Sequence, residues 1–189
     1  MYKEQTFNIP ELKGISSKTI EEHLKLYSGY VKNTNNILEK IKEDLDDYTK
    51  AELQRRLGFE FDGMRNHEYY FSLLEGGHKE ISDGKLKKAI EERWGSYDNW
   101  LSEFKSIAKT RGVGWAILYH DLKTGNLLNA WIDEQHLGHL VSCQPIIALD
   151  MWEHSFVADY QPSGKGDYVE DFFSNINFEV AENLFEKVT

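Results

Sequence analysis

The stretch DMWEHSFVADY, residues 150–160, places a carboxylate and an imidazole four positions apart. It follows PIIAL, an apolar run of the length expected for a buried strand, and the pattern after Glu153 becomes helical. Asp150 is therefore predicted to end a strand and His154 to open a helix, so that the two side chains converge. An isolated D-x-x-x-H pattern also fits an aspartate that caps a helix and a half-buried histidine. The rest of the chain favours a metal site.

Composition limits the class of protein. The chain has 189 residues, of which 40% are hydrophobic, enough to bury a core in one large or two small domains. Its net charge of −10 argues against nucleic-acid and acidic-membrane partners. No apolar stretch is long enough to span a bilayer, and the N-terminal residues lack the pattern of a signal peptide. The single Cys143 excludes an internal disulfide framework, and cytoplasm is the expected location.

Two long helices are predicted in the N-terminal part, one from Ser16 or Ser17 to about residue 47 and one from about residue 48 to 74. His23 and Tyr30 are seven positions apart and therefore share one face of the first helix. His67 lies among aromatic residues of the second helix and should point inward. An antiparallel hairpin of these helices would bring His23 and His67 face to face.

The fold class expected is α+β. An N-terminal α-helical hairpin domain, residues 1–77, precedes a C-terminal α/β domain, residues 78–189, with a small antiparallel three-stranded sheet. Two short helices broken near Gly95 come first, then strands in GVGWAILYHD, NLLNAWIDEQ and PIIALD. Two further helices close the chain. His120, in the first strand, is expected to point outward.

Three of the seven histidines fall on predicted inward faces near aromatic residues. Together with one aspartate they form a ligand set drawn from both halves of the chain: His23, His67, Asp150 and His154. Three neutral imidazoles and one carboxylate suit iron or manganese, and they leave net positive charge on the metal to attract a small anion.

Several segments resemble the iron/manganese superoxide dismutases. DMWEHSFVADY is similar to the D-x-W-E-H-A-Y signature of that family, and NHEYYF to its second-ligand segment. The remaining matches, in chain order, are FNIPEL, HLKLYSGYVKNTN, SYDNWLSEF, RGVGWAIL and GDYVEDFFSNINFE. The resemblance covers almost the whole chain. It implies one iron or manganese ion per subunit and disproportionation of superoxide to dioxygen and hydrogen peroxide.

The resemblance also implies roles for residues around the metal. His23, His67, Asp150 and His154 would be the ligands, with water or hydroxide as a fifth. Tyr30, Trp115 and Trp152 would surround them. Glu153 would reach across the interface of a homodimer to a ligand histidine of the other subunit, and a tetramer stays possible.

The chain departs from the family at its usual entrance. His23 and Tyr30 are seven positions apart where the family commonly has eight, and Leu26 stands where the family has a histidine. Phe156 stands where a tyrosine usually follows the fourth ligand, and Tyr27 is a candidate to compensate. Lys25, Lys32 and Lys165 are candidate cations for guiding the anionic substrate.

One position near the metal-bound solvent also departs from the family. The family places a glutamine or a histidine against the metal-bound solvent, in one branch from the position of Gly63, so here this group is expected from EQHLGH. Gln135 and His136 are the candidates there, and His136 is preferred because imidazole can both donate and accept.

Two other functions remain open from the sequence. A non-redox metal hydrolase could use the same ligands on zinc to acidify water. A catalytically altered metal-binding homologue could explain the changed entrance. The choice between iron and manganese rests on tuning of the redox potential and is not decided by this ligand set.

Overall fold

The computed structural model describes residues 1–189, beginning with two long antiparallel helices. Helix α1 spans Ser17–Lys40 and helix α2 spans Asp47–Ser72. Each helix begins at an N-cap residue. The side chains of Ser16, a predicted cap, and of Asp46 accept hydrogen bonds from backbone N–H groups of the first turn. The first helix ends about seven residues earlier than the pattern predicted. It is an uninterrupted α-helix between His23 and Tyr30, as the seven-residue spacing allows.

Two shorter helices follow, α3 at Lys85–Trp94 and α4 at Tyr97–Ala108. Gly95 separates them in a left-handed conformation, φ 81°, that glycine adopts without the steric cost of a Cβ atom. The predicted division at residues 77 and 78 falls between α2 and α3, and it stays a prediction.

Three antiparallel strands form one sheet in the order β2-β1-β3. They span Gly114–Asp121, Leu127–Asp133 and Cys143–Asp150, which confirms the three predicted strands. The central strand β1 is buried except at its last residue because neighbours cover both faces. Trp115 is paired with Asp150 across β1 and β3, so this register places the buried indole beside the carboxylate.

After β3 the chain makes a 3-10 turn at Glu153–Ser155 and a four-residue helix, α5, at Val157–Tyr160. A second 3-10 turn at Pro162–Gly164 leads into α6, Lys165–Asn175, and then α7, Phe178–Glu186. The α+β class is therefore confirmed. None of these helices is long and apolar enough to cross a membrane.

His120 differs from the outward position expected for it. Its side chain is buried and its ring lies 5.1 Å, between centroids, from that of Phe185. Strand alternation fails as a guide here because α7 covers the face of the sheet that was expected to be exposed.

Candidate metal centre

Four elements bring their side chains to one point between the helical hairpin and the sheet. Nε2 of His23, on α1, lies 3.0 Å from Oδ2 of Asp150, at the end of β3. Nε2 of His154, in the first 3-10 turn, lies 3.1 Å from the same oxygen, and Nε2 of His67, on α2, lies 3.5 Å from it. The four ligand atoms all lie within 4.8 Å of one another.

The orientation of His67 is fixed from behind. Its Nδ1 lies 2.6 Å from the carbonyl oxygen of Gly63, one turn earlier on α2. Because a carbonyl can only accept, Nδ1 must carry the proton and donate it, and the lone pair of Nε2 is directed into the cluster. Nε2 of His67 is buried there without a hydrogen-bond partner.

The electrostatics of the cluster favour neutral imidazoles at His23 and His67 beside one anion. Burial and, after it, the neighbouring His23 lower the pKa of His67 to about 3. Burial also lowers the pKa of His23. Burial alone would raise the pKa of Asp150, but contacts with His154 and His23 outweigh it and hold the pKa below its usual range. Deprotonated ligands of this kind are ready to bind a metal.

The arrangement fits a mononuclear metal site. Donor atoms bonded about 2.1 Å from one ion lie roughly 3 to 4 Å apart, which is the spacing that these side chains show around Asp150. A buried imidazole nitrogen without a partner is costly in a folded protein, and a metal ion would satisfy it. Nitrogen and oxygen donors in this ratio suit iron and manganese.

A second layer of hydrogen bonds joins three of the residues expected around the metal. The side chain of Gln135 is fully buried; its Nε2 donates to the Tyr30 hydroxyl oxygen at 3.0 Å. Its Oε1 accepts from Nε1 of Trp115 at 2.9 Å. Nδ2 of Asn66 donates to the backbone carbonyl of Gln135 at 3.0 Å. Gln135 is therefore held from three sides next to the ligands.

The preference for His136 over Gln135 does not agree with this arrangement. The ring of His136 lies against Phe59, with 5.7 Å between centroids, and makes no contact with Tyr30 or Trp115 of the kind that Gln135 makes. The two residues are neighbours on the loop after β2, so their side chains leave the backbone in different directions. The sequence contains no signal that shows which of the two turns inward.

The remaining predicted residues occupy distinct places. Trp152 stacks on His154, with 5.8 Å between centroids, and its indole donates to the carbonyl of Glu134. Glu153 is exposed and lines a cleft with Lys165 and Phe156.

The residues that differ from the family at the entrance make separate contacts. The buried hydroxyl of Tyr27 accepts from the backbone N–H of Gln5 and donates to Glu68, so it is tied to the N-terminal segment. Burial raises its pKa to about 12. Phe156 is buried and stacks on Tyr168 in the core. A compensating role for Tyr27 stays a prediction. Leu26 remains about 43% exposed.

Two residues near the site were not found from the sequence. Phe59 contacts Tyr30, His136 and Trp152 by its ring. Arg56 lies above the ring of Phe59, with its guanidinium carbon 3.7 Å from the ring centroid. The i, i+3 spacing on α2 is the only sequence signal for this pair, and such pairs are common on any helix.

Comparison with known proteins gives matches along most of the chain. Residues 82–184 match the family model for the C-terminal domain of iron/manganese superoxide dismutases. A superoxide dismutase [Fe] of Aquifex pyrophilus is 36% identical over 186 residues, covering 93% of this chain and 86% of that protein. A superoxide dismutase [Fe] of Cupriavidus metallidurans is 36% identical over 183 residues, covering 93% and 90%. A superoxide dismutase [Mn] of Mycolicibacterium smegmatis is 30% identical over 171 residues, covering 88% and 82%.

Proposed function

Because the chain belongs to the iron/manganese superoxide dismutase family, we propose that it converts two superoxide anions and two protons to dioxygen and hydrogen peroxide. The observation that carries the proposal is the buried cluster of three imidazoles and one carboxylate with all ligand atoms within 4.8 Å. His23, His67, Asp150 and His154 would hold one iron or manganese ion per subunit. When bound, that ion would supply the one-electron redox chemistry on which the reaction depends.

The surrounding residues support redox chemistry rather than hydrolysis. Trp115 is fully buried beside His67, with 5.1 Å between ring centroids, and Trp152 stacks on His154. These aromatic side chains would restrict water around the ligands and favour a small substrate. A hydrolase would need a larger substrate pocket and a free general base beside the ligands.

Tyr30 and Gln135 would manage the protons that peroxide formation consumes. Burial, with the nearby Asp150 and Glu60 carboxylates, raises the pKa of Tyr30 well above its usual range, so the phenol stays protonated. Its hydroxyl oxygen accepts from Gln135, which leaves the phenol hydrogen free to be donated toward the substrate. Gln135 would contact the solvent on the metal and hold Tyr30 in position.

We further propose that the protein is a homodimer with Glu153 in the interface. Glu153 is exposed, although it lies next to the ligand His154 in the chain. A second subunit would cover this carboxylate. Glu153 would then bind a ligand histidine of that subunit and fix the orientation of its ring. Cytoplasmic location also stays a prediction, as does the choice between a dimer and a tetramer.

Relatives named for iron and relatives named for manganese are both similar to this chain, so an experiment must identify the metal. The protein is prepared metal-free and loaded separately with iron, manganese and zinc, and superoxide decay is measured per bound metal atom. Activity with iron or manganese but not with zinc is expected, since zinc has no redox chemistry. Equal activity of zinc-loaded and metal-free protein, together with inactive iron and manganese forms, would favour the catalytically altered homologue.

A further inference from the structure

One group of half-buried aromatic side chains lies beside the candidate metal centre. His23, His67 and Asp150 are completely buried. Four side chains around them are only half-buried and contact one another through Phe59: Tyr30, Phe59, His136 and Trp152. This group, here called the aromatic rim, lies over the ligands, because Tyr30 contacts the His67 ring and Trp152 stacks on the His154 ring. A small solute that approaches the ligands from this side meets the aromatic rim.

The charge of the chain opposes this approach. An anion is repelled by a protein of net charge −10 unless cations lie close to the entrance. Two of the lysines expected to attract it are engaged elsewhere. Nζ of Lys25 is bound by the carboxylates of Glu21 and Glu22, and Nζ of Lys165 donates to the backbone carbonyls of Thr110 and Gly112.

Arg56 is the cation that lies against the aromatic rim. Its guanidinium is stacked over Phe59, 3.7 Å from the ring centroid, and its side chain is about half exposed. Nε of Arg56 donates to Oε1 of Glu60, one turn later on α2, at 2.9 Å. The stack and this hydrogen bond fix the guanidinium in one place, and its terminal N–H groups make no hydrogen bond within the chain.

Glu60 places a negative charge beside Arg56, where the anion would enter. Its carboxylate is buried, and Oε2 also accepts from Nδ2 of Asn33. Without Arg56, the Glu60 carboxylate would repel an anion at the rim.

We propose that Arg56 guides the anionic substrate through the aromatic rim, and that Glu60 holds its guanidinium in that position. The inference rests on the proposed function, because superoxide is the anion concerned. Arg56 acts before the chemistry and touches neither the metal ligands nor the proton-handling pair of Tyr30 and Gln135.

The test uses the full metal-loaded chain with three variants. Arg56→Gln removes the charge, Arg56→Lys keeps it without the planar group, and Arg55→Gln removes a matched charge at the adjacent position. Arg55 pairs with Glu52 and is more exposed, so it serves as the control. Two quantities are measured against ionic strength: kcat/KM for superoxide, and the affinity of the iron-loaded form for azide, a small anion, by visible absorption.

Arg56→Gln should lower both quantities roughly threefold at low ionic strength, the effect expected of one charge close to the entrance. The loss should shrink above about 0.1 M salt, where the Debye length falls to about 10 Å. Arg56→Lys should keep most of both quantities, and Arg55→Gln should change them little.

Two results would overturn the proposal. One is an Arg56→Gln variant that matches Arg55→Gln in azide affinity and in kcat/KM. The other is a loss that is independent of salt and shared by Arg56→Lys, which would mark Arg56 as a structural residue. If the wild-type chain binds azide but does not consume superoxide, the proposed function fails, and the azide comparison still decides the role of Arg56.

Discussion

The side-chain amide of Gln135 donates to the hydroxyl of Tyr30 at 3.0 Å, although 105 positions separate the two residues in the chain. This hydrogen bond joins the loop after β2 to helix α1 directly beside the ligand cluster. It also connects the buried Trp115 indole to the half-buried Tyr30 phenol through one glutamine. The second layer of the candidate site is therefore shared between both halves of the fold.

The first prediction concerns this glutamine. Gln135→Ala leaves the buried Trp115 N–H without an acceptor, which should lower the free energy of unfolding by about 1 to 3 kcal/mol. Bound metal should remain, because no ligand changes, but superoxide turnover should fall because Tyr30 and the solvent lose their partner. The measurements are metal content, denaturant unfolding and turnover per metal.

His136→Ala is the matched control for Gln135→Ala. It removes a ring that packs on Phe59 in the aromatic rim but leaves Tyr30 and Trp115 their partner, so a smaller loss of turnover than in Gln135→Ala is expected. The assignment fails if His136→Ala loses most of the activity and Gln135→Ala keeps it.

The second prediction concerns the space that Gly63 provides. A Cβ atom at Gly63 would lie 2.6 Å from a ring carbon of Tyr30, closer than such atoms approach in proteins. Gly63→Ala should therefore displace Tyr30, weaken its bond to Gln135 and cost about 1 to 3 kcal/mol of stability. Lower turnover should accompany the lower unfolding free energy.

Gly29 offers a matched substitution on α1, where a Cβ atom would meet nothing within 4 Å. Gly29→Ala should raise stability by about 0.5 to 1 kcal/mol, because alanine favours a helix over glycine. Equal effects of the two substitutions would show that the contact between Gly63 and Tyr30 is unimportant.

The third prediction concerns the ligands. Asp150→Asn keeps the shape of the side chain but removes the only anionic ligand, so bound metal and turnover should both be lost. His67→Ala should have the same effect, while circular dichroism shows that each variant stays folded. Stoichiometric metal and full activity in either variant would refute the ligand assignment.

The fourth prediction concerns the acid sensitivity of the metal-free protein. Burial lowers the pKa of His67 from 6.5 to about 3, so between these values the unfolded chain binds a proton that the folded chain does not. Stability should therefore fall as pH drops below 6.5, by up to about 1.4 kcal/mol per pH unit from His67, and this contribution should vanish above 6.5.

Denaturant unfolding of metal-free protein at several pH values measures this slope. His67→Gln removes the titrating group and should show a shallower slope, with the part due to His23 remaining. A slope unchanged by His67→Gln would contradict the assigned burial effect.

The sequence predicted the elements and the cluster of three histidines and one aspartate because both leave local signals. Neighbouring residues are enough to recognise helical spacing, a cap such as Ser16 or the apolar run before Asp150. The family motifs contain the four residues of the cluster. Side-chain direction on loops leaves no such signal. The choice between Gln135 and His136 depends on how the loop after β2 meets Tyr30, a contact with a residue distant in sequence. The position of Arg56 depends in the same way on how Phe59 packs at the rim.

The central claim is that this ligand set holds a metal that turns over superoxide. Its most direct test is the decay of a known pulse of superoxide, generated by pulse radiolysis, in the presence of iron- or manganese-loaded protein. The account predicts that at least one form consumes many superoxide anions per metal atom at a rate proportional to its concentration, and that the Asp150→Asn variant does not. Consumption that stops at one anion per metal atom in both forms would contradict it.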